Sequence, residues 1–139
     1  MTVSIRNQLA GRVTEVASGQ AMGTVKVRLT SGRDMTAAVT MDAIRDLGVA
    51  AGSDVHVLVK STGVALATSA VPGVSIRNQL PGTVTAVDQG GAMAAVHVAV
   101  DGGQLTAAIT QAAVSDLGLT TGTPVTALIK STEVSLETL

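Results

Sequence analysis

The sequence of 139 residues contains no cysteine, phenylalanine, tyrosine or tryptophan. Disulfides and thiolate metal sites are therefore excluded, and the core must be built from aliphatic residues and methionine. No apolar run approaches the roughly 18 residues of a membrane-spanning helix. The N-terminus also lacks the charged-then-apolar pattern of a signal peptide. The sequence therefore predicts a cytoplasmic protein with no membrane partner.

Basic residues are scarce in the second half of the chain. Residues 71–139 carry two basic and five acidic side chains, whereas residues 1–70 carry seven and five. Such a chain offers no broad basic surface for a polyanion, so no nucleic-acid partner is indicated. Binding of single-stranded nucleic acid would also need aromatic side chains on which bases stack, and there are none.

The heptapeptide Val-Ser-Ile-Arg-Asn-Gln-Leu occurs at residues 3–9 and again, letter for letter, at 74–80. When the two halves are aligned from this block, about half of their positions are identical. This internal duplication predicts two modules, residues 1–70 and 71–139, with a short linker at residues 67–73. Modules of this size are near the lower limit for an independent core. We therefore expect the modules to pack on each other and the chain to associate with further copies.

Each module shows the same order of strand and helix patterns. Aliphatic residues alternate with basic ones between residues 25 and 29, which is typical of a strand with one solvent-facing side. Thr40 is a typical helix N-cap and Gly48 a typical stop, so a short helix lies between them; its counterpart is predicted at residues 111–117. Five strands with a helix between the third and fourth form a small OB-type barrel. The sequence thus predicts a mainly β fold of two tandem OB-like five-stranded β-barrels, each with one short helix.

A small set of polar residues recurs in both modules. The only basic residues of the second module, Arg77 and Lys130, correspond to Arg6 and Lys60 of the first. The five other basic residues of the first module face uncharged or histidine positions, as expected of surface charge that serves solubility. With the neighbouring serines, the recurring donors are Ser4, Arg6, Lys60, Ser61, Ser75, Arg77, Lys130 and Ser131.

These recurring residues are almost entirely hydrogen-bond donors. Arginine offers a planar fork, lysine a point charge and serine a hydroxyl, and the Lys-Ser-Thr turn can add backbone N–H groups. No carboxylate recurs beside them, since Glu133 follows the turn only in the second module and its counterpart is Gly63. Such a site suits a small, fully deprotonated dianion. The alternative is that these residues form surface ion pairs and turn caps, which is common for a single copy; the duplication favours the dianion.

Five motifs, each present in both halves, resemble the Mop module of the molbindin family. They are Ser-Ile-Arg-Asn-Gln-Leu, Gly-x-Val, Thr-Ala-x-[VI]-Thr before the helix, Leu-Gly-[VL] after it, and Leu-[VI]-Lys-Ser-Thr-x-Val near the end. Together they cover nearly the whole chain, as in the cytoplasmic two-module molbindins. The resemblance implies a trimer of two-module chains that binds molybdate or tungstate where modules and subunits meet, for intracellular molybdenum storage or homeostasis.

The resemblance also implies which residues contact the oxyanion. They are the eight recurring donors, with backbone amides at Lys60-Ser61 and Lys130-Ser131. Asn7 and Asn78 are additional candidates, which either bind the ligand or order the end of a strand; we favour the second role.

Other functions find less support in the sequence. His56 and His97 occupy non-equivalent positions and belong to no metal-ligand cluster, so no metal-cation site is predicted. No histidine or carboxylate recurs beside Ser4 or Ser61 to act as a base, so we expect neither an enzyme nor a catalytic cofactor. The alternatives that remain are an OB-type module that only oligomerises or one that binds single-stranded nucleic acid. An oligomerisation module would tolerate loss of its recurring arginines.

Overall fold

The computed structural model describes residues 3–139, which form ten strands, two short α-helices and two 3-10 turns. The first repeat contains β1 (Asn7–Ala17), β2 (Met22–Leu29), β3 (Asp34–Thr40), α1 (Met41–Leu47), β4 (Asp54–Val59), the first turn (Ser61–Gly63) and β5 (Ala65–Ala67). The second repeat contains β6 (Asn78–Gln89), β7 (Met93–Val100), β8 (Gly103–Thr110), α2 (Gln111–Leu117), β9 (Pro124–Ile129), the second turn (Ser131–Glu133) and β10 (Val134–Thr138).

The strands form two five-stranded antiparallel sheets that exchange their last strands. The strand order is β10-β4-β1-β2-β3 in one sheet and β5-β9-β6-β7-β8 in the other. β10, from the end of the second repeat, pairs with β4 of the first, and β5 pairs with β9 of the second. Each sheet therefore contains four strands of one repeat and one strand of the other.

The predicted fold class is confirmed: the chain is mainly β, with five strands per sheet and one short helix per repeat. The exchange of the last strands was not predicted. A short apolar strand such as β5 can pair equally well with its own repeat or with a near copy, because the two partners present similar sequences.

The long strands β1 and β6 each contain one irregularity in their pairing. Each has a β-bulge, between Val13 and Glu15 and between Val84 and Ala86. An extra residue at a bulge bends a strand and increases its twist. Just before the first bulge, a Cβ at Gly11 would lie 2.8 Å from the carbonyl oxygen of Arg28, so only glycine permits this approach of β1 to β2.

The helices begin and end as their sequence signals predict. The hydroxyl of Thr40 accepts a hydrogen bond from the Ala43 N–H at 3.1 Å, and Thr110 caps α2 in the same way. Gly48, in the left-handed conformation with φ of 64°, ends α1. The observed bounds of α2 equal the predicted ones. Each predicted cap and stop is therefore confirmed.

One hydrophobic cluster joins the two repeats. It contains Leu9 and Val27 of the first repeat together with Leu80 and Ile129 of the second, each at most 4% exposed. Val134, which opens the exchanged strand β10, is buried in the same cluster. The core is built from aliphatic residues and methionine, as the absence of aromatics requires. The two repeats therefore pack on each other through a shared core, and the division into modules at residues 1–70 and 71–139 stays a prediction.

Within residues 3–139, neither the length nor the apolar character of any helix suffices to cross a membrane.

Candidate functional site

Strand pairing brings the recurring arginine and lysine of each repeat to the same end of a sheet. The last pair of the β1–β4 ladder is Asn7 with Val59, and the residues just beyond it are Arg6 and Lys60. The β6–β9 ladder ends in the same way at Asn78 and Ile129, next to Arg77 and Lys130. Residues far apart in sequence thus become neighbours at a strand end, as the oxyanion hypothesis requires.

The serine that follows each lysine opens a 3-10 turn. Lys60 has an extended backbone, and the N–H of Gly63 closes the first turn on the Lys60 carbonyl at 2.8 Å. The N–H groups of Ser61 and Thr62 take no part in the turn and loop hydrogen bonds formed among residues 3–139. Such groups at the start of a helical turn lack an intrahelical acceptor. The second turn repeats this geometry, with the Glu133 N–H donating to the Lys130 carbonyl at 2.9 Å.

Ion pairing separates the recurring cations from all the others. Each of the five non-recurring basic residues has an acidic partner within 4.0 Å. The pairs are Arg12 with Asp54, Lys26 with Glu15, Arg28 with Asp34, Arg33 with Asp101 and Arg45 with Asp42. By contrast, Arg6, Lys60, Arg77 and Lys130 form no ion pair within the part of the chain that the structure describes. The four are exposed, so the surface-pair explanation accounts for the other cations but not for these.

The two asparagines of the repeated block bind the backbone of the opposite repeat. Asn7 donates from Nδ2 to the Thr106 carbonyl and accepts the Thr106 N–H, both at 2.8 Å. Asn78 makes the same pair of bonds with Thr36 at 2.8 and 2.9 Å. Both asparagines are only 3% exposed. These contacts support the structural role that was favoured for the asparagines.

The glutamines of the block hold the segment before each strand. Nε2 of Gln8 donates to the Ile5 carbonyl, and Nε2 of Gln79 to the Ile76 carbonyl, both at 3.0 Å. Gln79 also exchanges hydrogen bonds with the backbone of Val71 in the linker. Sequence reasoning missed this positioning role, although the recurrence of the glutamine was a signal for it.

The serine and arginine of each block remain available to a ligand. Ser4, Arg6, Ser75 and Arg77 are exposed, and their side chains form no hydrogen bond with other residues of the described chain. The segments that carry them precede the strands and are bent at the serines rather than extended.

Each set of donors lies against the opposite repeat. The first turn packs on β8 of the second repeat, and the second turn packs on β3 of the first. A cavity of about 320 Å³ opens at this junction. Its walls include Thr62 and Gly63 of the first turn together with Ile76, Lys130 and Glu133 of the second repeat. The structure therefore places the recurring donors where the two repeats meet.

The two histidines belong to side-chain pairs on the sheets. His56 lies 3.0 Å from Glu137 of the exchanged strand, and His97 lies 2.8 Å from Asp88 and 3.0 Å from the Thr106 hydroxyl. Across residues 3–139, no three acidic or histidine side chains converge as metal ligands would.

These features match those of known proteins. The TOBE domain family matches residues 3–66 and again residues 74–136, the two repeats found above. The chain belongs to the TOBE domain family. Within it, the chain is similar to ModG: a crystal structure of this cytoplasmic molybdate-binding protein with molybdate bound matches with a TM-score of 0.94, at 36% identity over 98% of each chain.

Longer relatives share the same region. The molybdenum-pterin-binding protein MopA of Rhodobacter capsulatus is 36% identical over 98% of this chain, which spans 52% of MopA. The molybdenum transport protein ModE of Herbaspirillum seropedicae is 34% identical over 94% of this chain, which spans 49% of ModE. The chain thus spans about half the length of these relatives.

Proposed function

We propose that this chain binds molybdate, and tungstate as a chemically similar dianion, for intracellular molybdenum storage or homeostasis. The contacts are Ser4, Arg6, Lys60 and Ser61 in the first repeat and Ser75, Arg77, Lys130 and Ser131 in the second. The chain acts as a binding protein in the cytoplasm rather than as an enzyme. The similarity to ModG, MopA and ModE supports molybdate as the ligand.

The observation that carries the proposal is that the polar residues of the repeated block differ in their hydrogen bonding. Its asparagine and glutamine donate hydrogen bonds to backbone carbonyl groups. Its serine and arginine are exposed and unbonded within the described chain, and its arginine stands beside an unpaired lysine. A purely structural block would have no need of an unpaired cation in both copies.

The charge and donor content of each set fit a tetrahedral dianion. One arginine and one lysine balance two negative charges, and the bidentate fork of arginine gives directed hydrogen bonds to two oxygens. The serine hydroxyl and the N–H groups that open the 3-10 turn supply further donors. A site without an acceptor disfavours hydrogenphosphate, whose proton would lack a partner.

The proposal also includes the assembly of several copies of the chain. Four apolar side chains at equivalent positions of the repeats are exposed: Val3 and Val74 by 41% and 38%, and Met22 and Met93 by 46% each. Matched apolar surfaces on both repeats suit contact with further copies of the chain. We propose a trimer of two-repeat chains in which donors of neighbouring repeats face each other across the subunit boundary.

Calorimetric titration with molybdate tests the proposal. Purified, oxyanion-free wild-type protein should bind about one or more molybdate ions per repeat, with micromolar or tighter affinity. Binding should survive an excess of sulfate and phosphate. The double variant Arg6→Ala, Arg77→Ala should lose at least about tenfold in affinity, because it removes a charged fork from each set.

The double variant Arg12→Ala, Arg28→Ala is the matched control. It removes the same number of arginines from positions that are already ion-paired, so its molybdate affinity should equal that of the wild type. Absence of any heat with molybdate, or equal losses in the two double variants, would overturn the proposal.

A further inference from the structure

Glu133 lies beside the recurring lysine of the first repeat. β10 pairs with β4 so that Val134 is opposite Val59. The next residues at this end of the two strands are Glu133 and Lys60, which are therefore neighbours across the sheet. On the other side of β4, β1 begins directly after Arg6. The backbone of Glu133 thus belongs to the same row of strand ends as the first set of donors.

The carboxylate of Glu133 reaches toward the second set of donors. A Cβ placed on Gly63 would lie 3.2 Å from Oε2 of Glu133, so the carboxylate lies over the first turn. Gly63 is in turn the residue opposite Lys130, because β5 pairs with β9 through Ala65 and Leu128. Glu133 and Lys130 also line one cavity, and they are the only charged side chains among the described residues that line it. The carboxylate therefore lies at the junction of both sets.

No cation of the described chain neutralises this carboxylate. Glu133 is exposed and forms no ion pair with any residue in the range 3–139. Its counterpart in the first turn is Gly63, so the two sets of donors share a single carboxylate. Glu133 is thus close to the recurring lysines of both repeats without being bound to either.

We propose that Glu133 is a specificity-determining residue shared by both sets of donors, which weakens the binding of molybdate and favours hydrogenphosphate relative to it. The inference rests on the proposed function and deepens it. A unit negative charge at the junction repels a dianion held by either set. The same carboxylate accepts a hydrogen bond from an oxyanion that still carries a proton, and molybdate carries none. Glu133 therefore narrows the preference for molybdate in both repeats.

Molybdate titrations of Glu133→Gln and Glu133→Gly test the repulsion. Both variants remove the charge; glutamine keeps the shape of the side chain, and glycine makes the two turns identical. Each titration is repeated in Arg6→Ala, which leaves the second set of donors intact, and in Arg77→Ala, which leaves the first. Loss of the carboxylate should tighten molybdate binding about twofold to fivefold in both backgrounds.

Competition by phosphate under mildly alkaline conditions, where hydrogenphosphate predominates, tests the accepted hydrogen bond. In Glu133→Gly the affinity for phosphate relative to molybdate should fall about twofold or more, because the proton of hydrogenphosphate loses its acceptor. Sulfate is the matched competitor: it is a dianion without a proton, so its affinity relative to molybdate should stay the same.

Asp116→Asn is the control variant, because it removes one negative charge from an exposed residue of α2 that forms no ion pair in the described chain. The inference is overturned if the Glu133 variants tighten molybdate binding in neither background or in only one. It is also overturned if phosphate and sulfate respond alike, or if Asp116→Asn has the same effect. An absence of molybdate binding by the wild type would instead count against the proposed function.

Discussion

Asn7 and Thr106 lie 99 positions apart in the sequence and exchange two hydrogen bonds of 2.8 Å. The side-chain amide of Asn7 takes the place of a neighbouring strand, because it pairs with both the N–H and the carbonyl of one β8 residue. Arg6 directly precedes this anchor. The same contact therefore fastens the two repeats together and fixes the start of a donor segment against the opposite repeat.

Replacing Asn7 with alanine should destabilise the protein by about 2–4 kcal/mol, because it leaves the N–H and carbonyl of Thr106, a half-buried residue, without partners. Asn78→Ala should cost a similar amount through Thr36. Denaturant unfolding at a fixed protein concentration measures both losses. Gln20→Ala, at an exposed position, is the control and should lie within about 0.5 kcal/mol of wild type. A loss of less than about 0.5 kcal/mol in Asn7→Ala would contradict the anchoring role.

Cutting the linker should not separate the two repeats. Residues 68–70 are exposed, so a protease site introduced there is accessible. After cleavage, β5 remains in the sheet of the second repeat and β10 in the sheet of the first. The two fragments should therefore elute together in size-exclusion chromatography and separate only in denaturant. Separate elution under native conditions would contradict the exchanged pairing of the last strands.

Much of the fold could be predicted because its signals are local. The caps at Thr40 and Thr110 and the stops at Gly48 and Gly118 depend on residues within a few positions of one another. Strand exchange could not be predicted in this way, because the choice of partner for β5 depends on which near-identical edge it reaches.

The candidate site, like the fold, could be predicted from the sequence only in part. The arginines and lysines could be identified because they recur in both repeats. The register of the sheets explains why the arginine and lysine of each repeat lie next to each other. Recurrence alone could not distinguish the anchoring roles of asparagine and glutamine from ligand binding, since all of them recur. The close approach of Glu133 to Gly63 could not be predicted from the sequence for another reason. The two residues belong to different turns, and these turns are neighbours only because the last strands are exchanged.

Gly11→Ala should destabilise the protein by about 1–3 kcal/mol. The added methyl group would lie 2.5 Å from Cγ1 of Val27 and 2.8 Å from the Arg28 carbonyl oxygen, so β1 and β2 would have to move apart. Thermal or denaturant unfolding measures the loss. Gly73→Ala is the control, since a Cβ there meets no atom within 4 Å, and it should be neutral or slightly stabilising. Equal stability of the two variants would contradict the close approach of the strands.

Arg28 and Asp34 provide a prediction about pH dependence. Nε of Arg28 donates to Oδ1 of Asp34 at 2.9 Å, and a second nitrogen donates to Oδ2 at 3.3 Å. These hydrogen bonds are the main reason why the pKa of Asp34 is lowered, and the charge of Lys26 adds a smaller effect in the same direction. Because the pKa is lower in the folded than in the unfolded protein, the pair stabilises the fold above the unfolded pKa of about 3.9. This contribution is lost as the pH falls through the folded pKa.

Replacing Arg28 with glutamine should therefore raise the pKa of Asp34 toward its ordinary value, while Lys26 retains a small lowering effect. Carboxyl carbon NMR measures the titration of Asp34 directly. Arg33→Gln is the matched control: Arg33 lies in the adjacent hairpin turn but pairs with Asp101, so its loss should leave the Asp34 pKa nearly unchanged. The stability change at neutral pH should be small, because the pair is exposed and screened by salt. An Asp34 pKa that stays the same in Arg28→Gln would show that the hydrogen bonds do not control it.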